Sequence, residues 1–327
     1  MPQQKIKPID LSGLKTYPLA QRPSKVNAEA FARPWQAGGR LTDFFNGLPP
    51  ILAAGHLRAV IDAVATASAA GKTVIAGMGA HVIKVGLAPL IIDLMEKGVI
   101  RAVAFNGAGI IHDTEIAMGG ATSEDVAAAL DDGSFGMARE TGAFLAGAIA
   151  RAGADDLGLG QAVGQAIVES ALPRADASIL AAGWRLGVPV TVHVAMGTDI
   201  IHMHPCFDPA AAGKASHRDF RTFAAAVATL ENGVYLNIGS AVILPEVFLK
   251  AVALARNLGH DIGCFTTVNM DFIAHYRPLT NVVHRPTAKG GRGYNLVGHH
   301  EIMVPLVAAG IVEAMEQLKV AKGETST

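Results

Sequence analysis

From about residue 57 onward, short apolar runs that stop at a glycine or asparagine alternate with longer stretches of helical spacing. This alternation restricts the fold more than any other feature of the chain. Leu57–Ala70 reads as a helix rich in alanine and valine, and Lys72–Gly77 (Lys-Thr-Val-Ile-Ala-Gly) as a buried strand. His81–Lys97 has helical spacing, with Ile83, Leu87, Leu90, Ile91 and Leu94 on one side, weakened or kinked by Gly86 and Pro89. Ile100–Phe105 is the second strand and closes a βαβ unit. Further strands are predicted at Val188–Val194, Gly233–Asn237 and Asp261–Val268. Helices are predicted over Ser123–Leu130, Phe135–Ala152, Leu159–Ala171, Ala177–Gly187, Phe220–Leu230, Pro245–Leu258 and His300–Leu318. The first of these starts at Thr122 or Ser123 with Glu124 and Asp125 in its first turn. Pro245 is tolerated because it sits in a first turn. The expected fold is α/β: a doubly wound, mostly parallel, Rossmann-like sheet with helices on both faces.

Such a sheet needs a large apolar interior. The chain is 50% hydrophobic and only 17% charged, with mean hydropathy +0.34. So few charges leave apolar surface over, and self-association as a homodimer or homotetramer is where it is expected to go. No run of about 18 apolar residues occurs, so no membrane partner is expected. Met1–Asp10 is polar, holds Lys5 and Lys7, and lacks the apolar core of a secretory leader. Net charge is −1 and no basic stripe is present, which argues against nucleic acid. Cys206 and Cys264 make no disulfide framework, so a reducing cytoplasm is expected. Residues 1–40 hold Pro8, Pro18, Pro23 and Pro34 without periodicity. They read as an extended N-terminal arm that wraps the domain or a neighbouring subunit. No linker interrupts residues 41–327, which read as a single nucleotide-binding-like domain.

In open parallel sheets ligands bind beyond the carboxyl ends of the strands. Here those ends carry Gly77-Met78-Gly79-Ala80-His81, then Asn106-Gly107-Ala108-Gly109 with His112, Asp113 and Glu115. The third carries Gly197-Thr198-Asp199 with His202 and His204, the fourth Asn237-Ile238-Gly239-Ser240, and the fifth Thr267, Asn269 and Asp271. Glycines there allow a phosphate close to the backbone, and a following helix offers its amides. The first loop is not a full dinucleotide fingerprint, because Val82 stands where the third glycine belongs.

The block Gly77–Leu87, through Leu94-Met95 to Ala102–Gly109, resembles the NAD-binding half of deoxyhypusine synthase. Ser178–Leu180, Gly187–Val190, Gly197–Asp199 with His204, and Gly233–Ser240 continue the likeness, which spans roughly residues 70–270. The resemblance implies that family's fold, an NAD cofactor, a dimer or tetramer with sites near subunit interfaces, and a pocket lined by Gly79, His81, Asn106, Gly107 and Asp199. The family's catalytic lysine follows Trp-Gly. Here Trp35 and Trp184 are the only tryptophans and neither precedes Gly-Lys, and the family's Gly-Ser-Asp-Ser-Gly loop is missing. The expectation is therefore a diverged relative that keeps the fold and the dinucleotide rather than the transfer reaction.

The candidate catalytic residues are His81, Asp199, His202 and Lys84. The histidines titrate near neutral pH, Asp199 can meet a cationic or hydroxyl-bearing ligand, and Lys84 lies in an apolar stretch that could desolvate it for nucleophilic work. The alternative for Lys84 is a surface lysine. The candidate cofactor-binding residues are Gly77, Gly79, Asn106, Gly107, Gly109, Thr198, Gly239 and Ser240. Lys289 with Arg292, among glycines, could clasp a phosphate or carboxylate, or form a surface loop. His202-Met203-His204 has a spacing that can chelate zinc, with His112-Asp113 or His299-His300-Glu301 completing a set. Three functions stay open. One is an NAD-binding enzyme, a transferase or oxidoreductase, acting on an amine or alcohol carbon of a small molecule. The second is a metal-dependent hydrolase built on the histidine clusters. The third is a non-catalytic ligand-binding relative.

Overall fold

The computed structural model describes residues 6–321 and residue 323; residues 1–5 of the expected arm lie outside them. The arm runs extended and exposed from Ile6 to Gly39, with 3-10 turns at Leu19–Gln21 and Ala28–Ala30. It touches the body near its end. Arg33 donates through Nη2 to the Asn46 carbonyl at 2.6 Å, and the Trp35 and Phe44 rings lie 6.0 Å apart.

The body begins with helices α1 (Leu41–Gly47) and α2 (Leu52–Ala69). Strand β1 (Val74–Met78) is followed by α3 (His81–Lys84) and α4 (Ala88–Glu96). Strand β2 (Ala102–Asn106) runs straight into α5 (Gly107–Gly119), and α6 (Val126–Asp131), α7 (Arg139–Ala154), α8 (Leu159–Glu169) and α9 (Ile179–Leu186) lead to β3 (Val190–His193). Then come α10 (Pro209–Val227), β4 (Val234–Ile238), α11 (Ile243–Asn257) and β5 (Thr266–Asp271). A turn α12 (Tyr276–Pro278) continues as a π-helical segment, Leu279–His284. Strand β6 (Arg292–Val297) and α13 (His300–Ala321) complete the chain.

The six strands are all parallel, in the order β3-β2-β1-β4-β5-β6. The fold is a doubly wound α/β sheet, as the alternating pattern requires. Strands buried on both faces must be apolar throughout, and Val74–Met78 is buried at every position. The strand order reverses between β1 and β4, where β1 pairs with β2 on one side and β4 on the other. That switch point opens the crevice where this architecture binds ligands.

An edge strand exposes unpaired amides and needs cover. On β3, Asp219 of α10 accepts from Val192 N at 2.8 Å and also from Gly160 N at 2.9 Å. Ser216 accepts from Val194 N and donates to the Val192 carbonyl. Asp113 of α5 does similar work inside. It accepts from Ser178 Oγ, Ile179 N and Leu180 N, and so caps the start of α9.

Several expected boundaries change. The helix read over 81–97 is two, because Gly86 takes φ +77° and Pro89 then opens α4 within its first turn. The loop read after the second strand is the helix α5. Helix α10 starts at Pro209, eleven residues before Phe220, because Asp208 caps Ala210 N and Ala211 N and Pro209 is preset for the first turn. Asp125 caps α6, which therefore begins at Val126. Helix α7 starts only at Arg139, and β5 only at Thr266. Lys289–Gly293 straddles the start of a sixth strand, which the pattern hid. Gly293 there fits because a Cβ would stand 2.1 Å from the Val283 carbonyl oxygen.

Candidate functional site

The loops after β1, β4 and β5 are stitched together at the carboxyl edge. Gly79 N donates to Ile238 O and Gly239 N to Met270 O, each at 2.9 Å. A Cβ on Gly79 would stand 2.2 Å from the Gly239 carbonyl oxygen. Gly239 itself has φ +66°, a conformation that costs any residue with a Cβ. Gly77 lies under the Tyr235 hydroxyl and Gly109 against the Phe105 ring. Ser240 Oγ accepts from Leu244 N at 3.1 Å at the start of α11. Each of these five candidate cofactor contacts thus has a protein neighbour that accounts for it.

Beside β2 and β3 a cavity of about 530 Å³ opens, within the usual range for small-molecule sites. Lys84, His112, Glu115, Thr198 and Asp199 line it. Helix α5 starts directly off β2, so Asn106 and Gly107 set its N-terminus there. Asn106, Gly107 and Gly109 are expected to hold the cofactor at this end, and the chain's own carboxylate lies against it. The Ala108 amide favours the ionised form of Asp199, and a Cβ on Gly107 would stand 2.0 Å from Asp199 Oδ2. The N-terminal amides and the helix dipole favour this anion. Burial nevertheless pushes the Asp199 carboxyl up, against the pull of His202 and its hydrogen bonds. Its Oδ2 is buried without a hydrogen-bond partner among the described residues, and so is Asn106 Oδ1. Buried acceptors left unpaired are costly, and a donor-bearing ligand removes that cost.

His202 Nδ1 accepts from Gly197 N at 3.1 Å, which puts the ring proton on Nε2, a buried atom without a described partner. His204 turns elsewhere. Its Nε2 hydrogen-bonds the Gly136 carbonyl at 2.8 Å. Among the described residues no group of three or more His, Cys, Asp or Glu is placed to hold a metal ion, so nothing supports the metal alternative. On the far wall of the cavity His112 Nδ1 donates to Thr122 Oγ1 at 2.6 Å, Thr122 donates to Glu115, and Thr141 donates to Glu115 Oε1 at 3.2 Å. Burial, helped by the Lys84 charge, lowers His112 to about 4, so its imidazole is neutral at pH 7.

Lys84 is exposed at the rim rather than buried in the apolar stretch around it. Val82 and Ile83 point inward and Lys84 out, as consecutive helical residues must. Thr198 is exposed and donates to Ala195 O at 2.7 Å. His81 is exposed on the switch-point side, its ring 5.5 Å from that of His300. Lys289 and Arg292 lie at the amino end of β6, the opposite edge of the sheet. Arg277 pairs with Glu246 at 3.0 Å.

Two features take a place other than the one the sequence suggested. His300 is 1% exposed and sits at the first turn of α13. Asn237, Asn269 and Asn295 stand in register on neighbouring strands, and each donates to the next at 2.8 Å. Asn at one register position of three strands is a visible sequence signal only once the register is known.

No protein-family model matches the chain, and no curated protein matches it. Solved structures do. The ternary complex of AgrE with ornithine and NAD+ superposes with TM-score 0.52 at 15% identity, covering 83% of this chain and 34% of that one. Unliganded AgrE gives 0.51 at 15% identity over 82% of this chain and 34% of that one. The chain spans about a third of the length of the AgrE chains it matches. A putative deoxyhypusine synthase from Entamoeba histolytica gives 0.52 at 9% identity, covering 86% of this chain and 96% of that one. At these identities the likeness is one of architecture: the chain has a deoxyhypusine-synthase-like fold.

Proposed function

We propose that the chain is an enzyme that binds a nicotinamide dinucleotide at the carboxyl edge and acts on an amine or alcohol carbon of a small molecule. The observation that carries this reading is a pair of buried acceptors without partners among the described residues: Asp199 Oδ2, on a residue that lines a cavity of about 530 Å³, and Asn106 Oδ1 at the start of α5. Most buried polar groups are paired, and among the described residues Asp199 is the one carboxylate with a buried oxygen that is not. The two acceptors fit the hydroxyl-bearing part of a dinucleotide, since a carboxylate in this kind of site accepts from ribose hydroxyls. They do not fit its phosphates, because Asp199 already holds the α5 N-terminus. Lys84 at the rim is the cation that would meet the phosphates. When bound, the dinucleotide supplies hydride transfer. The chain's own residues then orient the substrate and move protons: His81 and His202 at the edge, with His112 and Glu115 on the facing wall.

The solved neighbours lend support at the level of fold, since one of them was crystallised with ornithine and NAD+. Residues 41–327 act in this reading as one unit. The arm serves self-association, because Ile6, Ile9, Leu14 and Leu19 are at least 70% exposed and lone chains seldom leave such residues in water. Thermal shift with NAD+, NADH and ATP tests the reading. Stabilisation by NAD+ or NADH that Asp199→Asn and Asn106→Ala abolish supports it, and no response to either form of the dinucleotide sinks it.

A further inference from the structure

His300 holds one ring nitrogen and offers the other. Its Nε2 lies 3.2 Å from the Met270 carbonyl oxygen, an acceptor, so Nε2 must carry the proton. Nδ1 is therefore a bare lone pair, and it is buried with no hydrogen-bond partner among the described residues. The residue is 1% exposed and opens a helix of 22 residues. The neighbouring ring is His81, at 5.5 Å between centroids and 61° between planes. His81 is exposed at the switch point, one residue beyond the end of the stitched loop.

We propose that His300 is a positioning residue for His81. Its bare Nδ1 takes the N–H of one His81 nitrogen, which leaves the other His81 nitrogen deprotonated and turned to the crevice as a base. The substrate class is then one with a hydroxyl or ammonium at the reacting carbon, whose proton His81 accepts. This rests on the proposed function above for its substrate, but not for its geometry. His81 is the partner that must turn, because its side chain is exposed while His300 is fixed by Met270 and by Gly239, whose missing Cβ would stand 2.9 Å from His300 Cε1. The titratable groups facing His81 are Lys84 from α3, Glu301 and His300 from α13 and Asp271 from β5, with the Phe272 ring 6.4 Å away. Burial, then His300 and Lys84, hold its imidazole below the ordinary value, while Glu301 and Asp271 oppose them. A neutral His81 at pH 7 is what a base requires.

The test is ¹⁵N NMR of the histidine rings in the full-length protein. In wild type one His81 tautomer is expected to dominate, with a coupling across the hydrogen bond to His300 Nδ1. In His300→Leu the preference is expected to collapse to the mixture of a free imidazole. His300→Gln should retain it, because Gln can donate to Met270 O with its amide and accept from His81 with its carbonyl. A mixed His81 tautomer in wild type overturns the proposal without any variant, and so does an unchanged preference in His300→Leu. Binding of NADH, followed by fluorescence in the same samples, is expected to be unchanged in both variants. Its absence from wild type would overturn the proposed function while the tautomer readout still decides the role of His300.

Discussion

Asp113 and Asp219 on one side, and Asp199 on the other, show what separates architecture from a site in this molecule. Asp113 is wholly buried and accepts three hydrogen bonds at the start of α9. Asp219 is 2% exposed and ties α8 to the edge strand β3. Asp199 is buried nearly as well, at 8% exposure, yet one of its oxygens has no hydrogen-bond partner among the described residues. In all three, burial pushes the carboxyl up. The pKa direction alone does not separate these three carboxylates; the unpaired oxygen of Asp199 does.

The largest effect expected is from Asp219→Asn. The amide can keep its oxygen on Gly160 N and Val192 N, which share Oδ2, but its NH2 then replaces the second oxygen beside the Leu159 amide, so unfolding in urea should show a loss of about 2 to 3 kcal/mol. An effect below about 1 kcal/mol would erase the distinction. Gly79→Ala should cost about 2 kcal/mol or more, because the obstructing atom is the Gly239 backbone oxygen and cannot swing away. Asp199→Asn is expected to change stability by less than about 1 kcal/mol, or to raise it, while weakening dinucleotide binding at least about tenfold, the worth of one hydrogen bond to a charged acceptor.

A pH series sharpens the same contrast. Asp113 is raised to about 6 and Asp219 to about 7, both from a reference of 3.8. A carboxyl raised on folding stabilises the native state below the unfolded value, and that contribution is lost as pH climbs through the folded value. Stability in urea should therefore decline between about pH 4 and pH 7, and Asp219→Asn should flatten the upper part of that decline. The smallest effect is expected from Lys84→Met. Its stability should stay within about 0.5 kcal/mol of wild type, because the side chain is exposed.

Much of the fold was legible in the sequence, because strands buried on both faces announce themselves as apolar runs with glycine at the end. What escaped did so for physical reasons. Strand β6 lies at the edge, with Arg292 and Val297 exposed, so its pattern is not an apolar run. Helix α5 begins with Gly107 and Gly109, residues that argue for a loop until their close neighbours, Asp199 and Phe105, are known. Of the proposed site, the strand-end positions were legible and their roles were not. Gly77, Gly79 and Gly109 serve packing, and the cavity wall of His112 and Glu115 depends on Thr122 and Thr141, which arrive from other segments. His300 carries no local signal, because its importance lies in a lone pair that only the tertiary structure leaves bare.

The central claim is that Asp199 is a ligand contact rather than a strut. Fluorescence titration of wild type and Asp199→Asn with NADH, alongside melting temperatures for both, tests it most directly. The account expects saturable binding by wild type, at least about tenfold weaker binding by Asp199→Asn, and melting temperatures within a few degrees of each other. Saturable binding that the variant retains in full, or no binding by wild type at all, would contradict it.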